Sequence, residues 1–96
     1  MKLQEIVENT FKNKNTVESA QELRKAFFDS GAYSVTWRHI RRGADYMVAS
    51  TAVRESDLEV LVLYFPASQN AIMGPERLMW SRPLKEFLDG RFQPKE

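Results

Sequence analysis

The chain has 96 residues, of which 14 are lysine or arginine and 13 are aspartate or glutamate, so its formal net charge is +1 at pH 7. This balance leaves no overall field that would attract nucleic acid or an anionic membrane. The chain has no cysteine, which excludes disulfides, thiolate zinc sites, iron–sulfur clusters and cysteine nucleophiles.

Hydrophobic residues make up 43% of the chain and charged residues 28%, a composition typical of one folded domain. Glu5 and Glu8 interrupt the apolar residues near the N-terminus, which therefore do not resemble a signal peptide. The longest apolar run, residues 60–66, is too short to cross a bilayer. We expect a soluble, cytoplasmic protein with no membrane partner.

Two short amphipathic helices are predicted in the N-terminal third of the chain. Residues 2–12 and residues 17–27 each carry one apolar stripe at helical spacing. Thr16 is the expected N-cap of the second helix, and Ser30-Gly31 is its expected end. Neither helix is long enough to be stable alone, so the stripes must cover the rest of the chain, each other or a second copy. The stripes consist of Leu3, Ile6, Val7 and Phe11, and of Val17, Ala20, Leu23, Ala26 and Phe27.

Four short strands are predicted in the remainder of the chain. Trp37 and His39 share one face of the first strand, because side chains alternate along a strand. Strands this short, joined by compact turns, favour a meander that curls into a barrel. The chain thus divides into a helical pair, residues 1–31, either part of the same domain or a dimerisation arm, and a barrel, residues 32–96. The predicted strands span residues 33–40, 46–53, 59–65 and 77–82, and one helical turn follows at 84–88.

Several segments, considered together, resemble a small bacterial and phage domain family of unknown function. The similar segments are residues 37–48, 52–54, 61–64, the closing motif around Trp80-Ser81-Arg82-Pro83, and the tail 89–92, which is similar to phage-borne relatives. The resemblance covers residues 36–92 and implies an SH3-like barrel without implying an activity. With the helices added, it predicts an α+β protein in which two short N-terminal helices pack on a small SH3-like antiparallel β-barrel. The helices and the 66–77 loop depart from the family pattern.

Six residues are candidates for contact with a partner: Trp37, His39, Arg41, Arg42, Trp80 and Arg82. His39 is the only histidine, and such a residue is either packed and hydrogen-bonded on its strand or in contact with a ligand. Trp80 lies on the surface if Met79 points inward, and it then belongs to the residue types that dominate interfaces. Arg82 shares the strand face of Trp80, where the two form either a cation–π pair or a corner suited to a carboxylate.

The densest basic run is formed by Arg38, Arg41 and Arg42. Three interpretations remain open for it: a solvated turn, a contact with a protein carboxylate, or a contact with nucleic-acid phosphates and bases. Three arginines are few for nucleic-acid binding, which usually needs several phosphate contacts.

No catalytic constellation or cofactor motif is present. The acidic residues at 55–59 lack the periodicity of a calcium loop, and the four glycines are isolated. We therefore predict a non-enzymatic binding or adaptor module, without metal or cofactor, of phage or mobile-element type. Its expected partner is a protein bound by the barrel face around Trp37, His39, Trp80 and Arg82, with Arg41 and Arg42 at the rim. The alternatives are a nucleic-acid-binding barrel and a homodimer assembled through Leu3, Ile6, Phe11 and Phe27.

Overall fold

The computed structural model describes residues 16–95. In chain order its elements are α1 (Val17–Asp29), β1 (Thr36–His39), β2 (Ala44–Val53), β3 (Val60–Pro66), β4 (Trp80–Pro83), α2 (Leu84–Phe87) and β5 (Phe92–Pro94). Short 3-10 turns lie at Ala32–Ser34, Ala67–Gln69 and Gly74–Glu76. The helix predicted over residues 2–12 lies outside the described residues.

Helix α1 begins at a capping threonine and ends before a glycine. The Oγ1 of Thr16 accepts a hydrogen bond of 3.1 Å from the backbone N–H of Ser19, which satisfies one of the N–H groups that a helix start leaves unpaired. At the other end Gly31 has a φ of 84°, a left-handed conformation that glycine adopts without a steric penalty. The side chains buried by α1 are Ala20, Leu23, Ala26 and Phe27. The prediction of this helix is confirmed.

In the described part of the chain, five strands form one antiparallel sheet in the order β4-β3-β2-β1-β5. Strands β1 to β4 are neighbours in chain order, as in a meander, and β5 returns to pair with the outer side of β1. Between Val48 and Ser50 the register of β2 against β3 shifts. Such a β-bulge bends the strand and increases its local twist.

An aromatic cluster fills the space between the two helices and the sheet. Phe27 of α1 meets Phe87 of α2 edge-on, with 6.2 Å between the ring centroids, and Phe87 stacks on Phe92 of β5 at 4.4 Å. Trp37 completes the cluster and donates a hydrogen bond of 2.9 Å from Nε1 to the carbonyl oxygen of Ala32. Large buried rings supply much of the hydrophobic free energy that a chain of this size can gain.

The predicted architecture is wrong in its details, although the α+β class is confirmed. Within residues 16–95, α1 is the one long helix, so the structure does not show two N-terminal helices packed on an SH3-like barrel. The strands form a single sheet in which β4 and β5 each pair with one neighbour. Between these two strands the chain forms α2, which buries Leu84 and Phe87. Side-chain packing by α2, rather than hydrogen bonding between the two edges, completes that end of the core.

The strand bounds also differ from the prediction. Tyr33 belongs to a 3-10 turn instead of the first strand, and residues 77–79 precede β4. Strand β5 was not predicted, because it has only three residues, ends in Pro94 and shows no alternating pattern. It forms through pairing with a distant segment: its partners lie on β1, and the Lys95 N–H donates to the Thr36 carbonyl oxygen at 2.7 Å.

Candidate functional site

Trp80 is an exposed aromatic at the free edge of the sheet. The register pairs Trp80 with Tyr64, so both residues share one face of the sheet. Tyr64 is 6% exposed and Trp80 is 46% exposed, because β4 has a neighbouring strand on one side only among the described residues. Met79 is 42% exposed as well. Trp80 is therefore on the surface without the condition stated for it, that Met79 points inward, because β4 begins at Trp80 and its alternation does not extend to Met79.

The residues that lead into β4 form an exposed apolar run. Leu78, Met79 and Trp80 all keep more than two fifths of their surface in solvent. The run is held in place from the side, because the Leu78 N–H donates a hydrogen bond of 2.8 Å to Oε1 of Gln69. Contiguous exposed apolar side chains of this kind mark interaction sites on soluble proteins. We call Leu78, Met79, Trp80 and Arg82 the β4 surface.

Arg82 is anchored at the inner margin of the β4 surface. Its Nε–H donates to the Tyr64 hydroxyl at 3.4 Å, and its guanidinium carbon lies 5.5 Å from the centre of the Phe92 ring. An Nη1 atom lies 3.6 Å from the Glu86 carboxylate, and the side chain remains 22% exposed. The hydrogen bond with Tyr64 is the main cause of an Arg82 pKa raised above its ordinary value. A fixed positive charge therefore accompanies Trp80 on the same strand face.

His39 is buried and keeps only 7% of its surface exposed. Its ring meets Phe92 edge-on at 4.8 Å, and its Nδ1 accepts a hydrogen bond of 3.2 Å from the Arg42 backbone N–H. The neutral ring therefore carries its proton on Nε2. Burial is the largest cause of a lowered His39 pKa, followed by the charges of Arg42, Arg82 and Arg91. His39 thus packs in neutral form and holds the turn after β1.

Trp37 lies in the core, out of reach of a partner. It is 1% exposed, and its ring contacts Phe27 at 6.3 Å and Phe87 at 4.9 Å. Both Trp37 and His39 were expected to contact a partner together with Trp80 and Arg82. Their burial leaves Trp80 and Arg82 as the accessible members of that set.

Arg41 and Arg42 are exposed in the turn between β1 and β2. Within residues 16–95 neither guanidinium group has a hydrogen bond or an ion pair. Arg38 differs, because its Nε lies 2.9 Å from the Asp45 carboxylate, which also binds the Lys95 ammonium group at 2.9 Å. Strand alternation places Arg38 on the opposite face of the sheet from His39. The three arginines therefore do not converge on one site.

Sequence reasoning missed the role of Phe92. Its ring lies between Arg82 and His39, at 5.5 Å and 4.8 Å respectively, and so connects residues of β4 and β1 that are far apart in the strand order. Nothing in the local pattern marked Phe92, since a single apolar residue among polar neighbours carries no periodicity. Sequence reasoning also missed Phe28, which is 61% exposed on α1.

Residues 16–95 contain neither a cluster of potential metal ligands nor a membrane-spanning helix. No group of three or more potential metal-ligating side chains lies together there. No helix in residues 16–95 is long and apolar enough to span a bilayer.

No protein-family model, curated protein or solved structure matches the chain. The resemblance to a bacterial and phage domain family therefore stays a prediction, and any functional conclusion depends on the geometry of the site.

Proposed function

We propose that this chain is a non-enzymatic binding module that captures a protein through the β4 surface. The observation that carries the proposal is the 46% exposure of Trp80 at a sheet edge, next to the exposed Met79 and on the same strand face as Arg82. Tryptophan and arginine are the residue types that contribute most to binding at protein interfaces.

The edge position of β4 supports binding of an extended segment. An edge strand presents unpaired backbone groups, and natural sheets protect such edges with prolines and charged side chains. The other edge, β5, contains Pro94 and is flanked by Arg91 and Lys95. Strand β4 carries similar protection at its far end, where Arg82 is followed by Pro83, but the run that enters it is apolar from Leu78 to Trp80. A partner strand added to the Trp80 end of β4, away from Pro83, would gain main-chain hydrogen bonds and side-chain contact with Trp80.

The charges near this end of the sheet favour an acidic partner. Burial first, and then the positive charges of Arg42, Arg82 and Arg91, lower the pKa of His39. Arg91 is paired with Asp89 at 3.0 Å and with Glu86 at 3.2 Å, and Arg82 lies 3.6 Å from the same Glu86. The Arg42 guanidinium has no acidic partner within residues 16–95. Exposed charge at the rim of an interface speeds the association of a partner of opposite charge.

The two alternatives have less support. A nucleic-acid site would need Arg38, Arg41 and Arg42 to converge, and Arg38 is bound to Asp45 on the opposite face. The homodimer hypothesis places Phe27 in the interface, but Phe27 is completely buried in the core of its own chain. The other residues of that hypothesis, Leu3, Ile6 and Phe11, lie outside the described part of the chain.

Alanine substitution on the β4 surface tests the proposal. The immobilised wild type, Trp80→Ala and Arg82→Ala proteins would be compared for capture of proteins from a lysate of the source organism. We expect both variants to lose capture. Trp80→Ala should keep its Tm within about 4 °C of the wild type, because exposed side chains contribute little to folding.

Phe28→Ala is the matched control, since it removes an aromatic ring of α1 that is even more exposed than Trp80, 61% against 46%. It should capture the same proteins as the wild type. Wild-type capture by Trp80→Ala would refute the proposal, and unfolding of both β4 variants would show that Trp80 and Arg82 serve the fold.

A further inference from the structure

We propose a second binding site, in the groove between α1 and β2, for a ligand that carries a carboxylate next to a flat ring. The groove has a volume of about 560 Å³, and its lining includes Arg24, Lys25, Phe28, Tyr33 and Thr51. A volume of this size is typical of small-molecule sites. The lining contains no residue of the β4 surface, so this site is independent of the protein-binding proposal.

Arg24 is fixed in the groove by neutral partners. Its Nε–H donates to Oγ1 of Thr51 at 3.0 Å, and its Nη2 donates to the Thr51 carbonyl oxygen at 3.1 Å. Its Nη1 donates to Oε1 of Gln21 at 2.7 Å. These bonds leave one N–H on each terminal nitrogen for a further acceptor. A carboxylate can accept from both terminal nitrogens of a guanidinium at once.

The positive charge of Arg24 is not compensated within residues 16–95. Arg24 is half-buried and has no acidic partner there. The adjacent Lys25 is paired with Asp29 at 2.6 Å, and no carboxylate is part of the described lining of the groove. A partly buried cation held only by neutral groups is an attractive position for an anion. This observation assigns the carboxylate of the ligand to Arg24.

Phe28 offers a ring surface beside that charge. It is 61% exposed, although its chain neighbour Phe27 is completely buried. Its ring meets Tyr33 edge-on at 5.1 Å, and the Tyr33 hydroxyl donates to Oγ1 of Thr51 at 3.2 Å. The contacts of Tyr33 therefore link the exposed ring to the same threonine that holds Arg24. A flat ring in the ligand would pack against Phe28 while its carboxylate meets Arg24.

The β-bulge of β2 shapes the same groove. The register of β2 against β3 shifts between Val48 and Ser50, and both Ser50 and Thr51 line the groove. Bulges are common next to binding sites, where they redirect side chains. Thr51, which is 5% exposed, thereby forms a rigid floor under Arg24.

Indole-3-acetate is a suitable probe, because it joins a carboxylate to a flat ring. We would titrate it into the ¹⁵N-labelled full chain and follow the amide shifts by NMR, with tryptophol and acetate as controls. Tryptophol keeps the ring but replaces the carboxylate by a hydroxyl, and acetate lacks the ring. We expect a Kd on the order of 1 mM for indole-3-acetate, as for other ligands of this size. Both controls should bind at least about tenfold more weakly, because each lacks one of the two contacts.

Two variants localise the binding. Phe28→Ala and Arg24→Lys should each weaken indole-3-acetate binding at least about tenfold, since one loses the ring contact and the other the paired N–H donors. Arg24 also ties α1 to β2, so Arg24→Lys can affect folding. Because Phe28 is exposed, Phe28→Ala should stay folded, so weaker binding by that variant can be attributed to the site itself. Trp80→Ala should bind the probe like the wild type, which separates this site from the β4 surface.

A peptide probe shows whether the ligand is a peptide terminus or a free aromatic acid. The tripeptide Gly-Gly-Phe presents the same chemistry at a chain terminus, and its amidated form lacks the carboxylate. Tighter binding of the free tripeptide than of indole-3-acetate would identify a peptide terminus as the ligand, and the reverse order would identify a free aromatic acid. Absence of binding by both probes, equal binding of tryptophol, or unchanged affinity in Phe28→Ala would overturn the proposal.

Discussion

A single buried histidine gives the protein a defined dependence on pH. Burial and the charges of Arg42, Arg82 and Arg91 lower the pKa of His39 in the folded state. The unfolded chain therefore binds this proton at a higher pH than the folded chain does. Above pH about 6.5, where His39 is neutral in both states, its titration should not change the free energy of unfolding. As the pH decreases from there towards the folded-state pKa, the unfolded chain takes up the proton first and the free energy of unfolding should fall.

Urea unfolding at pH 7.5 and pH 5.5 measures this effect, with His39→Gln as the control. No other histidine is present, so the variant should lose most of the pH dependence in that interval. An equal decline in the wild type and in His39→Gln would show that another group is responsible.

At the scale of secondary-structure elements, the N-cap of α1 gives a testable prediction of stability. The Thr16 hydroxyl accepts the Ser19 N–H at 3.1 Å, so Thr16→Ala should lower the free energy of unfolding by about 1 kcal/mol. Thr16→Ser keeps the accepting oxygen and should stay close to the wild type. Urea unfolding of the three proteins provides the comparison, and equal losses in both variants would refute a capping role.

The elements that the sequence predicted correctly are those determined by local interactions. Helix α1 follows from its cap, its apolar stripe and Gly31, all within one short segment. Strands β2 and β3 were predicted to within a few residues, because their β-branched and aromatic residues have strong strand propensity. Strand β5 was missed because it exists only through its pairing with β1.

In the candidate site, too, the sequence predicted the features that local interactions determine and missed those that depend on distant segments. Trp80 and Arg82 share a face in both the prediction and the structure, since alternation is a local property. The exposure of Trp80 depends on which strand lies at the edge of the sheet, and that order depends on contacts between distant segments. For the same reason the sequence did not show that Phe92 brings Arg82 and His39 together.

At the scale of the whole molecule, the aromatic cluster connects every layer of the fold. Phe87 is completely buried and contacts Phe27, Trp37, Tyr64 and Phe92. Phe87→Ala should therefore cost about 3–5 kcal/mol, which approaches the total stability of a small domain. The exposed Phe28→Ala should change stability by less than about 0.5 kcal/mol. Thermal unfolding of both variants checks the contrast, and similar Tm values would contradict the described core.

Most aromatic rings of the sheet are buried in the core, whereas Trp80 is exposed at its edge. The central claim is therefore that Trp80 binds a protein. The most direct test is capture from a lysate of the source organism by the wild type and by Trp80→Ala, each with and without nuclease treatment. Our account predicts a protein that is retained by the wild type, lost with Trp80→Ala and unaffected by nuclease. Retained material that disappears with nuclease, or a protein captured equally by both forms, would contradict it.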